Sequence, residues 1–199
     1  MLEYNNKLSQ IVDHCISNAK KKGATDVEVG IVKSTAETVS FRNKKLDESD
    51  RSENIGLSLT AYINKKKNSV LSSNLKTDNL EKLIERCVEA AKITPEDEFN
   101  SLPDEELFFK NSDELDLFDE THLENNQKID YLKEAEEVAF KNKEIINTNG
   151  SSFSESKTEV VLGNSKGFKN GYNTSNFTAY CEVVSKNNGS MERDYEYTS

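Results

Sequence analysis

A chain of 199 residues with 34% hydrophobic content, two prolines and a formal charge of −10 has enough apolar material for one domain or two small ones, which excludes disorder throughout. Its acidity, with a pI near 4.9, excludes a general nucleic-acid binder, because neutralising phosphates takes clustered Lys and Arg. Cys15, Cys87 and Cys181 are odd in number and far apart, so the pattern supports neither a disulfide framework nor a zinc ribbon, and reduced thiols are expected.

Met1 to Gln10 lacks a basic start followed by an apolar run, and no apolar stretch approaches ~18 residues. A cytoplasmic location without membrane spans is therefore the expectation. Tyr4, Leu8, Ile11, Val12, Cys15, Ile16 and Ala19 recur at helical spacing and predict a first helix. Lys20, Lys21 and Lys22 suit its C-terminal dipole, and Gly23 supplies the stop.

From Gly23 to Leu75 the period falls to two. Val27, Val29 and Ile31 form one alternating set, and Ile55, Leu57, Leu59, Ala61 and Ile63 another. The second set is expected to face Leu8, Ile11, Cys15, Leu80, Ile84 and Cys87. Thr38 to Arg42 and Lys44 to Glu48 read as a short hairpin, and Ser69 to Ser73 as a further strand, giving a meander of about five strands. Asp78 is the expected N-cap of a second helix, with Glu81 three residues on and an apolar stripe of Leu80, Leu83, Ile84, Cys87, Val88 and Ala91 running to Thr94-Pro95. Two helices on one sheet face predict an α+β domain over residues 1–94.

Residues 95–124 carry twelve acidic side chains against Lys110 alone, a local charge of −11, so the rest of the chain sums to +1. Leu102, Leu107, Phe108, Phe109, Leu115, Leu117 and Phe118 are too apolar for a purely solvated linker, and the segment is expected to lie as a strap on the folded body. A third helix is predicted from Asn125 or Asn126 to before Lys143, on Ile129, Leu132, Ala135, Val138 and Ala139. Strand signals follow at Ile145-Ile146, Thr158 to Leu162, Phe168 to Tyr172, Phe177 to Val184 and Met191 to Tyr197, with turns at Asn149-Gly150, Gly163 to Gly167 and Asn187 to Gly189. Residues 125–199 thus form a helix and a second β-rich segment that ends directly after a strand and reads as truncated.

Val39 to Leu46, Ile55 to Tyr62 and Asp116-Leu117-Phe118 resemble the PmbA/TldD family, and Gly163 to Phe168, Gly171-Tyr172 and Met191 to Tyr195 resemble its PmbA (TldE) branch. The resemblance spans nearly the whole chain and implies the N-terminal portion of a longer protein. It further implies a subunit of a cytosolic zinc-dependent peptidase complex acting on unfolded or short peptides. The zinc would lie in a TldD-type partner, through heterodimer formation or self-association, while this chain lacks the motif. The other reading is a non-enzymatic interaction module, binding through a sheet edge or in a gyrase-modulator role. The family usually has Gly where this chain has Lys44. Because a tight hairpin needs positive φ there, a longer loop centred on Arg42 to Lys45 is expected.

No residue qualifies as catalytic, cofactor-binding or metal-binding. The only histidines, His14 and His122, do not form the paired-histidine helix pattern of zinc peptidases. His14 beside Cys15 is adjacency without nucleophile geometry, and Glu105-Glu106 and Glu136-Glu137 read as solvated acids. Gly163 to Gly167 is too short for a phosphate loop and is followed by strand, so it reads as a hairpin turn.

Overall fold

A computed structural model describes residues 6–109 and 116–199; Tyr4 of the predicted first helix, and Lys110, Asp113, Glu114 and Leu115 of the acidic segment, lie outside them. The elements run α1 (Asn6–Lys21), β1 (Asp26–Arg42), β2 (Lys45–Ile63), β3 (Lys66–Ser72), α2 (Thr77–Ile93), α3 (Asn125–Ala139), β4 (Ile145–Asn164), β5 (Lys169–Asn187) and β6 (Ser190–Thr198). The strands form one antiparallel sheet in the order β3-β2-β1-β4-β5-β6, so the class is α+β.

Two compact units share these long strands. The first takes the described residues of Met1–Ser34, Asn54–Leu115 and Thr158–Asn173, and the second Thr35–Glu53, Asp116–Lys157 and Thr174–Ser199. In the first unit Leu57, Leu59 and Ala61 are buried against Leu8, Cys15, Leu80, Ile84 and Cys87, with Ile11, Ile55 and Ile63 packed at the margin. The alternation read from β2 therefore has the expected register, each large aliphatic contributing about 1.5–3 kcal/mol by burial. Gly23, at φ 103°, ends α1, and Ala24 N donates to Ala19 O at 3.0 Å, the left-handed helix stop that glycine favours.

Several expectations are corrected. The five-strand meander is three strands, because β1 and β2 continue through the polar residues between their apolar halves. Asp78 is not the N-cap of α2: that position is Lys76, without a side-chain cap, and Glu81 instead meets His14 Nε2 at 2.9 Å on α1. Asn149-Gly150 is no turn but lies inside β4, where the N–H of Gly150, at φ 117°, donates to Thr148 Oγ1 at 2.9 Å.

The acidic segment is fastened to the body. Asp97 N and Asn100 Nδ2 both donate to Lys65 O, Leu102 is buried, and the Phe108 ring lies 5.4 Å from that of Phe168. In the second unit Ser175 N donates to Leu117 O at 2.9 Å and Asp119 N to Ser175 Oγ at 2.8 Å. Phe99, Leu107, Phe109 and Leu117 remain exposed, so backbone hydrogen bonds and a few anchors hold the strap, not its whole apolar set.

The second core is small: Val39, Phe41, Leu132 and Phe153, flanked by Leu123, Ile129, Phe177 and Ala179. The face α3 buries is Lys128, Leu132 and Glu136, while Val138 of the predicted apolar stripe is exposed. Four-residue spacing places all three on one line of the helix, so charged side chains sit where the apolar reading placed hydrophobes.

Candidate functional site

Thr38 Oγ1 lies 3.1 Å from Ser154 Oγ, and Ser151 Oγ donates to Phe41 O at 3.3 Å. This antiparallel register sets Glu37 on β1 opposite Glu155 on β4. Like charges directly opposite destabilise a sheet pair, and a buried carboxylate needs a partner. The partner is Lys128 of α3, whose side chain is fully buried: Nζ donates to Glu37 Oε2 at 2.8 Å and lies 3.1 Å from Glu155 Oε2. Glu155 Oε2 has that ion pair but no hydrogen bond of good geometry.

Around this buried triad, side chains from three further places converge. Arg51 of β2 donates from Nη1 to Glu37 Oε1 at 2.7 Å and from Nη2 to Glu53 at 3.3 Å. His122 of the strap places Nδ1 3.2 Å from Glu155 Oε1. Lys157, two residues along β4, sits 3.4 Å from the same oxygen, donates to Glu120 O and Thr121 O, and lies over the Phe118 ring. Thr35, Glu37, Arg51, His122, Glu155 and Lys157 line a cavity of about 270 Å³.

The electrostatics follow from the contacts. The hydrogen bond from Lys128, outweighing burial, holds the Glu37 carboxyl below its ordinary value, with help from Arg51. At Glu155 burial pushes upward, but Lys128 and His122 overcome it and the net direction is down. For Lys128 burial favours the neutral amine, yet Glu37 and Glu155 together push its value up.

Glu37, His122 and Glu155 offer donor atoms within 4.8 Å of one another, a spacing that invites a test for a metal. The set does not fit the zinc the family resemblance implies. It holds one imidazole, and Lys128, Arg51 and Lys157 already neutralise its carboxylates at 2.8, 2.7 and 3.4 Å. A dication would have to displace buried or clamped ammonium and guanidinium groups. The arrangement pins α3 and the strap to the β1–β4 pair.

A second polar arrangement overturns the expected long loop. Asn43 and Lys44 stand at φ 50° and 63° between the ends of β1 and β2, so the primed two-residue turn is kept despite Lys. Its obligation comes from Glu136, which is 1% exposed. The two Glu136 carboxylate oxygens accept from Asn43 N and Lys44 N, each at 2.9 Å. The reading of Glu136 as a solvated acid is thereby corrected, while Arg42, Lys44 and Lys45 are exposed as side chains.

The remaining residues singled out in the sequence stay apart. His14 faces Glu81 and Asn18, whereas Cys15 is buried, and burial pushes its thiol up to about 12; a neutral buried thiol is no nucleophile. Glu105 and Glu106 are exposed on a short 3₁₀ turn. Gly163 to Gly167 is a hairpin turn, with Asn164 Oδ1 accepting from Lys166 N and Phe168 N.

Residues 27–91 match PmbA/TldA metallopeptidase domain 1, and residues 118–199 the PmbA/TldA metallopeptidase central domain. The chain belongs to the PmbA/TldD family. It is 30% identical over 193 residues to metalloprotease PmbA of Escherichia coli O157:H7, covering 95% of this chain and 43% of that protein. With the PmbA homolog of Haemophilus influenzae it is 28% identical, again spanning 43% of the relative. The chain thus covers less than half the length of these PmbA proteins. Its fold is similar to a putative modulator of DNA gyrase from Bacteroides thetaiotaomicron, with TM-score 0.86 and 22% identity over 99% of this chain and 45% of that one. It is also similar to TldE of Thermococcus kodakarensis, with TM-score 0.73 and 16% identity over 94% and 42%. Membership of this metallopeptidase family is what these matches establish for the PmbA/TldD chain, and no helix of its described residues is long and apolar enough to cross a membrane.

Proposed function

We propose that this chain supplies domain 1 and central-domain structure to a PmbA/TldE-type subunit of a cytosolic, zinc-dependent peptidase complex that degrades unfolded or short peptides. The zinc belongs to a TldD-type partner, and this chain contributes scaffold and docking surface, not the hydrolytic centre. The supporting observation is the match to PmbA proteins over 95% of the chain, joined to a charged cluster whose carboxylates are already neutralised by Lys128, Arg51 and Lys157. Two histidines in the whole sequence, one in each compact unit, agree with that division of labour.

The test is peptidase activity of a reconstituted pair, a full-length protein containing this chain with a TldD-type partner. Activity is expected only from the pair, abolished by zinc chelation and restored by zinc. Hydrolysis by the 199-residue chain alone, or one tightly held zinc per chain after chelation and reloading, overturns the assignment.

A further inference from the structure

The cluster around Lys128 balances in charge. Glu37, Glu53 and Glu155 stand against Lys128, Arg51 and Lys157, joined by contacts of 2.7 to 3.4 Å. It does not balance in hydrogen bonds. Lys157 commits its ammonium to Glu155 Oε1, Glu120 O and Thr121 O. Arg51 uses two of the five N–H groups of a guanidinium, on Glu37 and Glu53. Its other N–H groups, the Thr35 hydroxyl and His122 Nε2 have no partner among the described residues. On the acceptor side each Glu37 oxygen takes one hydrogen bond where a carboxylate oxygen has room for two. Glu155, 6% exposed as a side chain, has its Oε2 buried without a hydrogen bond of good geometry.

These residues border one space. Thr35 and Glu37 lie two apart on one face of β1, as Glu155 and Lys157 do on β4; with Arg51 of β2 and His122 of the strap they line the cavity of about 270 Å³. The walls come from β2, β1 and β4, three successive strands of the sheet order, and all six residues belong to the second unit. The volume equals the liquid share of about nine waters, which is room for a small organic molecule.

The chemistry of an occupant follows from what is left unmet. A lone cation or anion adds charge to a neutral cluster and has to break one of its ion pairs. An apolar molecule leaves the donors and acceptors unsatisfied. A zwitterion adds no net charge. Laid head to tail against the Glu37–Arg51 pair, it brings an ammonium to the carboxylates and a carboxylate to the guanidinium. We propose that this cavity binds a free α-amino acid with a small side chain. Its ammonium donates to Glu37 and Glu155, and its carboxylate accepts from Arg51 and Thr35, so both ends make charge-assisted hydrogen bonds. Lys128 and Lys157 keep their present partners. The inference stands apart from the peptidase reading, because it concerns binding by this chain whether or not a reconstituted pair hydrolyses peptides.

Calorimetric titration of the 199-residue chain with L-alanine, N-acetyl-L-alanine and L-alaninamide tests it, each titration being repeated on a full-length protein containing this chain. Alanine is expected to bind with a dissociation constant below about 1 mM, and about tenfold more tightly than either blocked form. Arg51→Gln, at a side chain 62% exposed, and Thr35→Val each remove a donor to the ligand carboxylate and leave the contacts of Lys128 in place. They should weaken alanine about tenfold and about fivefold, respectively, and leave alaninamide unchanged, with circular dichroism confirming the fold. The ligand series on the unaltered chain decides even where a variant does not fold. Equal binding of alanine and either blocked form, unchanged alanine affinity in either folded variant, no binding by the 199-residue chain, or binding lost in the full-length protein each overturns the proposal.

Discussion

Replacing Lys128 by Met keeps the volume of the buried stem and removes the charge that joins Glu37 and Glu155. The ammonium is fully buried, 2.8 and 3.1 Å from the two carboxylates. Breaking a buried ion pair by deleting one partner costs about 3–5 kcal/mol, against about 5–15 kcal/mol for a whole domain. The pH dependence carries the sharper signature. In the unaltered protein Glu37 and Glu155 are held below their ordinary values. Their contribution is therefore present above the unfolded carboxylate value of about 4.3 and lost as pH falls through the lower folded values. Lys128, raised in the fold, contributes below about 10.4, and that contribution is lost as pH rises through its higher folded value. Stability should form a plateau between these limits. In Lys128→Met, burial and mutual repulsion favour the protonated carboxyls. Their folded values then exceed the unfolded ones, and stability rises as pH falls from about 7 to about 5, where the parent is on its plateau. Urea unfolding followed by circular dichroism across that range measures it. Adding Glu37→Gln and Glu155→Gln should recover most of the loss. A cost under about 1 kcal/mol, or parallel pH profiles for parent and variant, refutes the assignment of Lys128 as the charge that holds the pair.

The hairpin tip supplies a second expectation: Glu136→Ala strands two amides and should cost about 1.5–3 kcal/mol in urea unfolding. Lys44→Gly should add about 1 kcal/mol by relieving a side chain at φ 63°. A Cβ at Gly163 would meet Val12 Cγ1 at 2.6 Å, so Gly163→Ala should destabilise by about 1–3 kcal/mol, partly recovered by Val12→Ala in the same assay. Cys15, its thiol pushed up to about 12 by burial, should resist iodoacetamide at pH 8 in the native state and react after unfolding, as read by mass spectrometry.

Much of the first unit was legible because its chemistry is apolar and periodic: β2 alternates from Ile55 to Ile63, and α1 and α2 present stripes that match it. The strand lengths were not legible. Asp47 to Asn54 carry no apolar period, yet they continue β2, because pairing with β1 and not burial holds them extended. The charged cluster escaped for a related reason. Glu37 and Glu155 sit at inward positions of strands, where their signal is a carboxylate among alternating residues, and Lys128 and Glu136 flank Leu132 at four-residue spacing on α3. A reading that counts only hydrophobes assigns those positions to solvent. The one available clue was that common line of Lys128, Leu132 and Glu136. The tight turn at Asn43-Lys44 was missed because its stabilising carboxylate is 92 residues away in sequence, beyond any local rule of turn chemistry.

That distance bears on how the chain acquires its structure. The β1–β2 hairpin is local and closes early, but the amides at its tip have their carboxylate acceptor only once Glu136 arrives with α3. A hairpin that closes before α3 is made holds Lys44 strained and two amides in water until Glu136, 92 residues beyond Lys44, has emerged. Closing so long a loop is entropically slow. Substitutions at Glu136 therefore act on a late event, raising the unfolding rate more than they lower the folding rate.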